Sequence, residues 1–294
     1  MPFEKITLVG VGLLGGSLAL AIRERKLAAR VKGYVRREAS LLECEQAGLK
    51  DFATRDLLSA VRDADLVILC TPLAQMRELA ERMAAALKPR AIVSDVGSVK
   101  LSVVQELEPL ITQAGAHFIG AHPMAGAEKT GVGAARADLF CHAVCVLTPG
   151  SRSDSKAVQR LEEFWRAVGT RTLKLTAELH DELVARCSHL PHVVAAELAN
   201  CVLNPANPKE QSLLCANGFR DTTRIASGSP EMWRDIALAN RENVGRVLGA
   251  FIGDLQELQR ALANGDAAAI EQFFITAKQR RDGWCSQAAS PSPE

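Results

Sequence analysis

The stretch Gly10-Val11-Gly12-Leu13-Leu14-Gly15, close to the amino terminus, constrains the fold of this chain more than any other. It follows the apolar run Ile6 to Val9 and precedes the helix-compatible segment Ser17 to Arg25. Where a strand meets a helix through glycines at this spacing, the first permits a tight turn. The second lets the backbone approach a diphosphate, and the third lets helix and strand pack closely. The helix then presents unsatisfied N–H groups and the positive end of its dipole to the turn, which makes an anion site. Gly10, Gly12, Leu13, Leu14 and Gly15 are therefore expected to cradle the pyrophosphate of a dinucleotide. A strand-to-helix turn with no ligand is the other reading, and the order strand, glycines, helix argues against it.

Up to about residue 175, short β-branched runs alternate with helical stretches, the pattern of βαβ units around a parallel sheet. The strand candidates are Ile6 to Val9, Val31 to Val35, Leu66 to Cys70, Ile92 to Asp95, His117 to Gly120, Val144 to Leu147 and Thr172 to Leu175. After Thr176 helical periodicity takes over, over Glu178 to Leu203, Met232 to Leu262 and Ala267 to Arg281, with Gly218 to Pro230 reading as a loop. The fold class is thus α/β: a Rossmann-type dinucleotide-binding domain over residues 1–175, then an all-α domain over 176–285. Residues 286–294, with two prolines and three serines, read as a disordered tail.

Lys+Arg 35 against Asp+Glu 34 leaves no charge excess to draw the chain onto nucleic acid or an anionic membrane. No apolar run approaches the ~20 residues that cross a bilayer, and the start lacks the pattern of a signal peptide. A small-molecule partner is expected. The cysteines are scattered without a CxxC pair, which suits reduced thiols in the cytoplasm. Cys141, His142 and Cys145 lack the second ligand pair of a structural zinc site, so no metal is expected.

About 20 residues beyond the glycines an NAD enzyme offers an acid to the ribose 2′-hydroxyl, whereas an arginine accommodates the NADP phosphate. Here Val35 stands at that place and Arg36 and Arg37 follow, which favours NADP over NAD; solvated arginines at a helix start are the alternative. Ligands of an open parallel sheet collect outside the carboxyl ends of its strands. Thr71 and Pro72, the run Asp95 to Lys100, and the run Gly120 to Glu128 all fall there. His122 is the best candidate base, since imidazole titrates near neutral pH; a hydrogen-bonded loop histidine is the alternative.

The strings GVGLLGGSLA, CTPLAQ, DVGSVK, GAHPMAGAEKTG, ELHDELVARCSHLPH, GFRDTTRIASGSPEMWRDI and NRENV, in this order, resemble the prephenate and arogenate dehydrogenase family over nearly the whole chain. The resemblance implies NAD(P)-dependent oxidative decarboxylation of prephenate, arogenate or both on the route to tyrosine, and a homodimer through the helical domain. It implies that His122 accepts the proton of the substrate's ring hydroxyl, with Ser98 orienting that hydroxyl and the imidazole. Arg224 would bind a substrate carboxylate, while Glu128, His192, Arg220, Asp221 and Trp233 line or gate the pocket. Two departures stand out: Ala127 replaces a frequent Thr, and the acid after the second strand is missing. The rivals are a β-hydroxyacid dehydrogenase or imine reductase, and a non-catalytic NAD(P)-sensing regulator. The first would want a catalytic Lys, which the run Glu178 to Leu203 lacks; the second has no need of His122, Ser98 and Arg224 in one cleft.

Overall fold

The computed structural model describes residues 3–127 and 129–289. Its sheet has eight strands: β1 (Phe3–Val9), β2 (Ala28–Tyr34), β3 (Ala53–Thr54), β4 (Leu66–Leu69), β5 (Ile92–Asp95), β6 (His117–Pro123), β7 (Val144–Thr148) and β8 (Arg171–Lys174). They lie in the order β3-β2-β1-β4-β5-β6-β7-β8, so the chain reverses direction across the sheet beside β1, where an open parallel sheet leaves its ligand crevice. The connecting helices are α1 (Leu13–Glu24), α2 (Ala39–Gln46), α3 (Leu57–Val61), α4 (Leu73–Met83), α5 (Leu101–Gln113) and α6 (Ser155–Val168). All strand pairs are parallel except β6 with β7. β6 runs on to Pro123 instead of stopping at Gly120, because antiparallel pairing with β7 satisfies its backbone there; His122 therefore sits inside a strand, opposite Val146.

Apolar runs in the central strands split between two cores because successive side chains point to opposite faces. Leu66 and Ile68 face one cluster and Val67 and Leu69 the other. On the first face α6 presents Leu161, Phe164, Trp165 and Val168, all fully buried and spaced as one helical stripe. Each such side chain contributes about 1.5–3 kcal/mol by leaving water. Asp154 Oδ1 caps the start of α6 by accepting from Ala157 N at 3.0 Å, and Gly169 ends it at φ +107°, where a side chain would be strained.

The carboxyl end of β5 is fixed by charge. Asp95 and Lys100 form an ion pair with both side chains fully enclosed. Asp95 also accepts from Gly97 N at 2.7 Å and Ala121 N at 3.1 Å, while Lys100 Nζ donates to Ala121 O at 2.9 Å. One pair thus ties together the end of β5, the middle of β6 and the start of α5.

From Ala177 the chain is helical: α7 (Ala177–Val184), a π-helical turn over Ala185–His189, α8 (Leu190–Val202), α9 (Glu210–Leu213), α10 (Asn217–Thr223), a 3-10 turn over Arg224–Ser227, α11 (Pro230–Ala239), α12 (Arg241–Ala263) and α13 (Ala267–Ala289). Three expectations are corrected here. Much of the segment read as a loop, Gly218 to Pro230, is helical, because the Thr222 and Thr223 hydroxyls donate to Gly218 O and Phe219 O one turn back and so do not compete with the helix. The helix expected over Met232 to Leu262 breaks at Asn240, whose side chain is buried and donates to Asp181 O at 2.8 Å. The tail expected from Ser286 continues α13 as far as Ala289, and residues 290–294 lie outside the described residues. By compactness alone the chain divides at 241/242, with α7 to α11 grouped with the sheet. In the second unit, α13 exposes Phe273, Phe274, Ile275 and Trp284. Among the described residues no helix is long and apolar enough to cross a membrane.

Removing the ammonium with Lys100→Met should strand the Asp95 charge. We expect a loss of about 3–5 kcal/mol of unfolding free energy in urea titrations. A loss below about 1 kcal/mol, the range of surface pairs, would show that the pair is not the anchor described.

Candidate active site

The glycine turn has the geometry the sequence requires. Gly10 adopts φ +97°, and its N–H donates to Tyr34 O at 3.0 Å, tying the turn to the end of β2. A Cβ on Gly15 would lie 2.0 Å from Gly10 O, so only glycine lets α1 meet β1 this closely. Around Gly12 the space is open, with nothing within 4 Å of a Cβ built there. No side chain caps α1, so the N–H groups of its first turn are left to a ligand. Thr71 follows β4 with its Cγ2 2.7 Å from a Cβ built on Gly10, and its Oγ1 is enclosed without a hydrogen-bond partner. An uncapped helix start, open space at Gly12 and an orphaned hydroxyl beside the turn are what a dinucleotide diphosphate and its attached groups would fill. Pro72 opens α4 beside Thr71.

Arg36 and Arg37 are exposed just past β2. Arg37 pairs with Glu43 at 3.7 Å, and Arg55 with Glu38 at 3.4 Å, both on the surface. Burial pushes the Cys70 thiol up, with Asp95 adding to it, so this cysteine stays protonated beside the turn.

The candidate base lies deeper. His122 Nδ1 is 2.8 Å from His180 Nε2, and His180 Nδ1 is 2.7 Å from Asp181 Oδ1. Asp181 in turn accepts the N–H groups of Lys100 and Leu101, at 2.8 and 2.9 Å, and so caps α5 from α7. His122, His180 and Asp181 are all buried. Burial holds His122 well below the usual imidazole range, and His180, Lys100 and His189 push it the same way. The imidazole is therefore neutral and able to accept a proton. Its Nε2 makes no hydrogen bond among the described residues.

The π-helical turn places His189 and His192 differently, although they are only three apart. His189 is buried against Asn240, whose Nδ2 lies 3.3 Å from His189 Nδ1, and burial pushes it down to about 4. His192 is half-buried; its Nδ1 lies 3.0 Å from Ser188 O, and its ring stacks on Trp233 at 3.8 Å. Trp233 also meets His189 edge to face at 6.0 Å. His189, Trp233 and His192 thus form one contiguous group of rings, and Ser98, half-buried in the loop after β5, lies with its backbone beside His189. Arg220 and Asp221 on α10 and Arg224 in the 3-10 turn are exposed. Glu128 lies outside the described residues. Cys141, His142 and Cys145 do not form a ligand cluster: Cys141 Sγ accepts from Arg25 at 2.9 Å while Cys145 is buried in β7.

Sequence reasoning passed over His180, Asp181 and Asn240. The available signal was the His-Asp pair in α7, the first helix after the last strand. Its leucine neighbours, Leu179 and Leu183, give it the look of an ordinary amphipathic helix.

Comparison with known proteins agrees with this layout. Residues 18–174 match the family described as prephenate dehydrogenase, nucleotide-binding domain, and residues 176–276 match prephenate dehydrogenase, dimerization domain. The cyclohexadienyl dehydrogenase of Zymomonas mobilis is 36% identical over 282 residues, covering 95% of this chain and 95% of the relative. The structure of A. aeolicus prephenate dehydrogenase in complex with hydroxyphenyl propionate and NAD+ superposes with a TM-score of 0.88 at 31% identity, covering 95% of this chain and 98% of that one. Synechocystis arogenate dehydrogenase superposes with a TM-score of 0.79 at 30% identity, covering 96% and 100%.

Thr71→Val tests the cofactor side of this geometry. The swap removes an unsatisfied hydroxyl, so stability in urea should hold or rise, while dinucleotide affinity measured by calorimetry should fall about 3–10-fold, one neutral hydrogen bond. Unchanged affinity would mean that the hydroxyl faces no ligand.

Proposed function

Since the chain belongs to the prephenate dehydrogenase family, we propose that His122 is its general base. The chain is an oxidoreductase of tyrosine biosynthesis that carries out NAD(P)-dependent oxidative decarboxylation. The rival readings, a β-hydroxyacid dehydrogenase or imine reductase and a nucleotide-sensing regulator, are not favoured by these relatives. The substrate is prephenate, arogenate or both. One observation carries the reading: His122 is a buried, neutral imidazole with Nδ1 engaged by His180 and Nε2 left available. Bound at the glycine turn, the oxidised dinucleotide would supply the hydride acceptor.

The residues then divide the labour. His122 Nε2 takes the proton of the ring hydroxyl as the hydride leaves the same carbon, and Ser98 orients both groups. Arg224 binds a substrate carboxylate, for which a guanidinium offers two parallel donors. Glu128, His192, Arg220, Asp221 and Trp233 line or gate the pocket; the stacking of His192 on Trp233 supports a pre-formed wall for an apolar ring. Gly10, Gly12, Leu13, Leu14, Gly15, Thr71 and Pro72 hold the cofactor. The apolar side chains exposed along α13 support a homodimer through the helical part. The free cysteines support a cytoplasmic enzyme.

Cofactor choice is the finer part of the reading: NADP over NAD. The missing acid at Val35 removes repulsion of the 2′-phosphate, and the exposed Arg36 and Arg37 offer attraction.

Assays of the purified protein with prephenate and arogenate, each with NAD and NADP, test the whole reading. His122→Ala should lose at least ~10²-fold in turnover with cofactor affinity little changed; near-normal turnover would remove the base from this residue. Arg36→Ala combined with Arg37→Ala should weaken NADP by the ~1.5–3 kcal/mol of a charged hydrogen bond and leave NAD nearly untouched. Equal losses for both cofactors, or a wild type that prefers NAD, would make the arginines mere surface residues.

A further inference from the structure

The base does not stand alone, and its partners are oriented in one direction. Asp181 already accepts two backbone N–H groups, from Lys100 and Leu101, so its carboxylate faces His180 as an acceptor. His180 must then carry its proton on Nδ1, which leaves a lone pair on Nε2. That lone pair accepts from His122 Nδ1–H across 2.8 Å, and His122 Nε2 becomes the atom with the free lone pair. Asp181 therefore sets the tautomer of a residue it never touches.

We propose that His122, His180 and Asp181 form a buried relay that holds the substrate's proton and then returns it. The proposal rests on His122 being the base. In the forward step the O–H bond of the ring hydroxyl breaks and its proton goes to His122 Nε2. The O–H electron pair forms C=O as the carbon's hydride leaves to the oxidised nicotinamide. The proton on His122 Nδ1 passes to His180 Nε2, so the positive charge rests on His180 against the Asp181 carboxylate. When the bond to the ring carboxylate breaks, CO₂ leaves, and its electron pair makes the ring aromatic and the oxygen a phenolate. That oxygen takes back the proton of His122 Nε2, and His180 Nε2 returns its proton to His122 Nδ1. Every proton ends where the product needs it, and none has to reach water.

The surroundings suit temporary charge on His180 rather than on His122. His122 faces His180 of α7, Lys100 at the start of α5, His189 of the π-helical turn, and Cys145 of β7. His180 faces Asp181 directly, and burial together with those neighbours works against charge on His122. Asp95, the enclosed carboxylate at the end of β5, is committed to Lys100.

Two measurements test the relay on the full-length chain. Nitrogen-15 NMR of the histidine-labelled protein at neutral pH should find the proton on Nδ1 in both His122 and His180; a proton on His122 Nε2 would overturn the relay. This readout needs no variant that could misfold. In kinetics, Asp181→Asn should donate to His180 Nδ1 and invert both tautomers, lowering kcat at least about 10²-fold with substrate KM within about 3-fold. The acid limb of the pH profile should also move to lower pH, since a carboxylate that favours the cationic histidine has gone. Wild-type kcat and an unmoved profile in Asp181→Asn, with His122→Ala inactive, would overturn the relay alone. Turnover that survives His122→Ala would overturn the assignment of the base itself.

Discussion

The enclosed pair of Asp95 and Lys100 is the constraint around which the site is assembled. An unpaired charge at that depth would be costly by several kcal/mol, so each group dictates where the other lies. Asp95 needs more than one donor and finds the rest in Gly97 N and Ala121 N; Lys100 finds a second acceptor in Ala121 O. Ala121 precedes His122, so the pair sets the height of the proposed base on β6. The backbone of Lys100 opens α5, whose first N–H groups go to Asp181. One residue, Lys100, thereby links the sheet to the helix that carries His180. Hydrophobic packing could hold the same elements together, but it is not directional enough to fix the spacing of ring nitrogens.

Much of this was legible in the chain because it rests on local rules. The glycine turn follows from steric demands that only glycine meets at Gly10 and Gly15. The two cores follow from period-two alternation in strands such as Leu66 to Leu69, and α6 from its apolar stripe and its Asp154 cap. His122 stood out as an imidazole at a strand end. What escaped was set by tertiary contact. The extension of β6 to Pro123 depends on pairing with β7, which comes from a distant segment. The break at Asn240 depends on where Asp181 O lies, and the capping of α5 by Asp181 spans 80 residues of sequence. A helical run with polar residues at its buried positions reads as an amphipathic helix until the partners of those residues are known. The Gly218 to Pro230 stretch misled for the opposite reason: threonines usually favour loops, yet here their hydroxyls bond back within a helix.

Two electrostatic settings coexist at the carboxyl edge of the sheet. Arg36 and Arg37 sit in water, where attraction to a phosphate is screened by salt and worth little unless geometry is good. Substitutions at these two surface positions can therefore leave the fold undisturbed. His122, His180, Asp181, Asp95 and Lys100 are enclosed, where each interaction is stronger and each missing partner more damaging. Changes there reach the fold and the chemistry together.

Burial of His122, the proposed base, would serve the chemistry as well as the structure. A general base that must discharge its proton to solvent after every turnover needs a path to water, and such a path also admits water to the reacting ring. In the proposed relay the proton removed from the ring hydroxyl is the proton the product phenol carries, because hydride loss and decarboxylation balance the charge between them. The base needs only a place to hold that proton briefly, and a neighbouring imidazole backed by a carboxylate provides one without an opening to solvent. Enclosure then strengthens each hydrogen bond in the relay and keeps its tautomers fixed. The same enclosure pushes His122 below the usual imidazole range, which keeps it neutral before substrate arrives. The burial that would isolate a lone histidine thus becomes useful once His180 and Asp181 stand behind it.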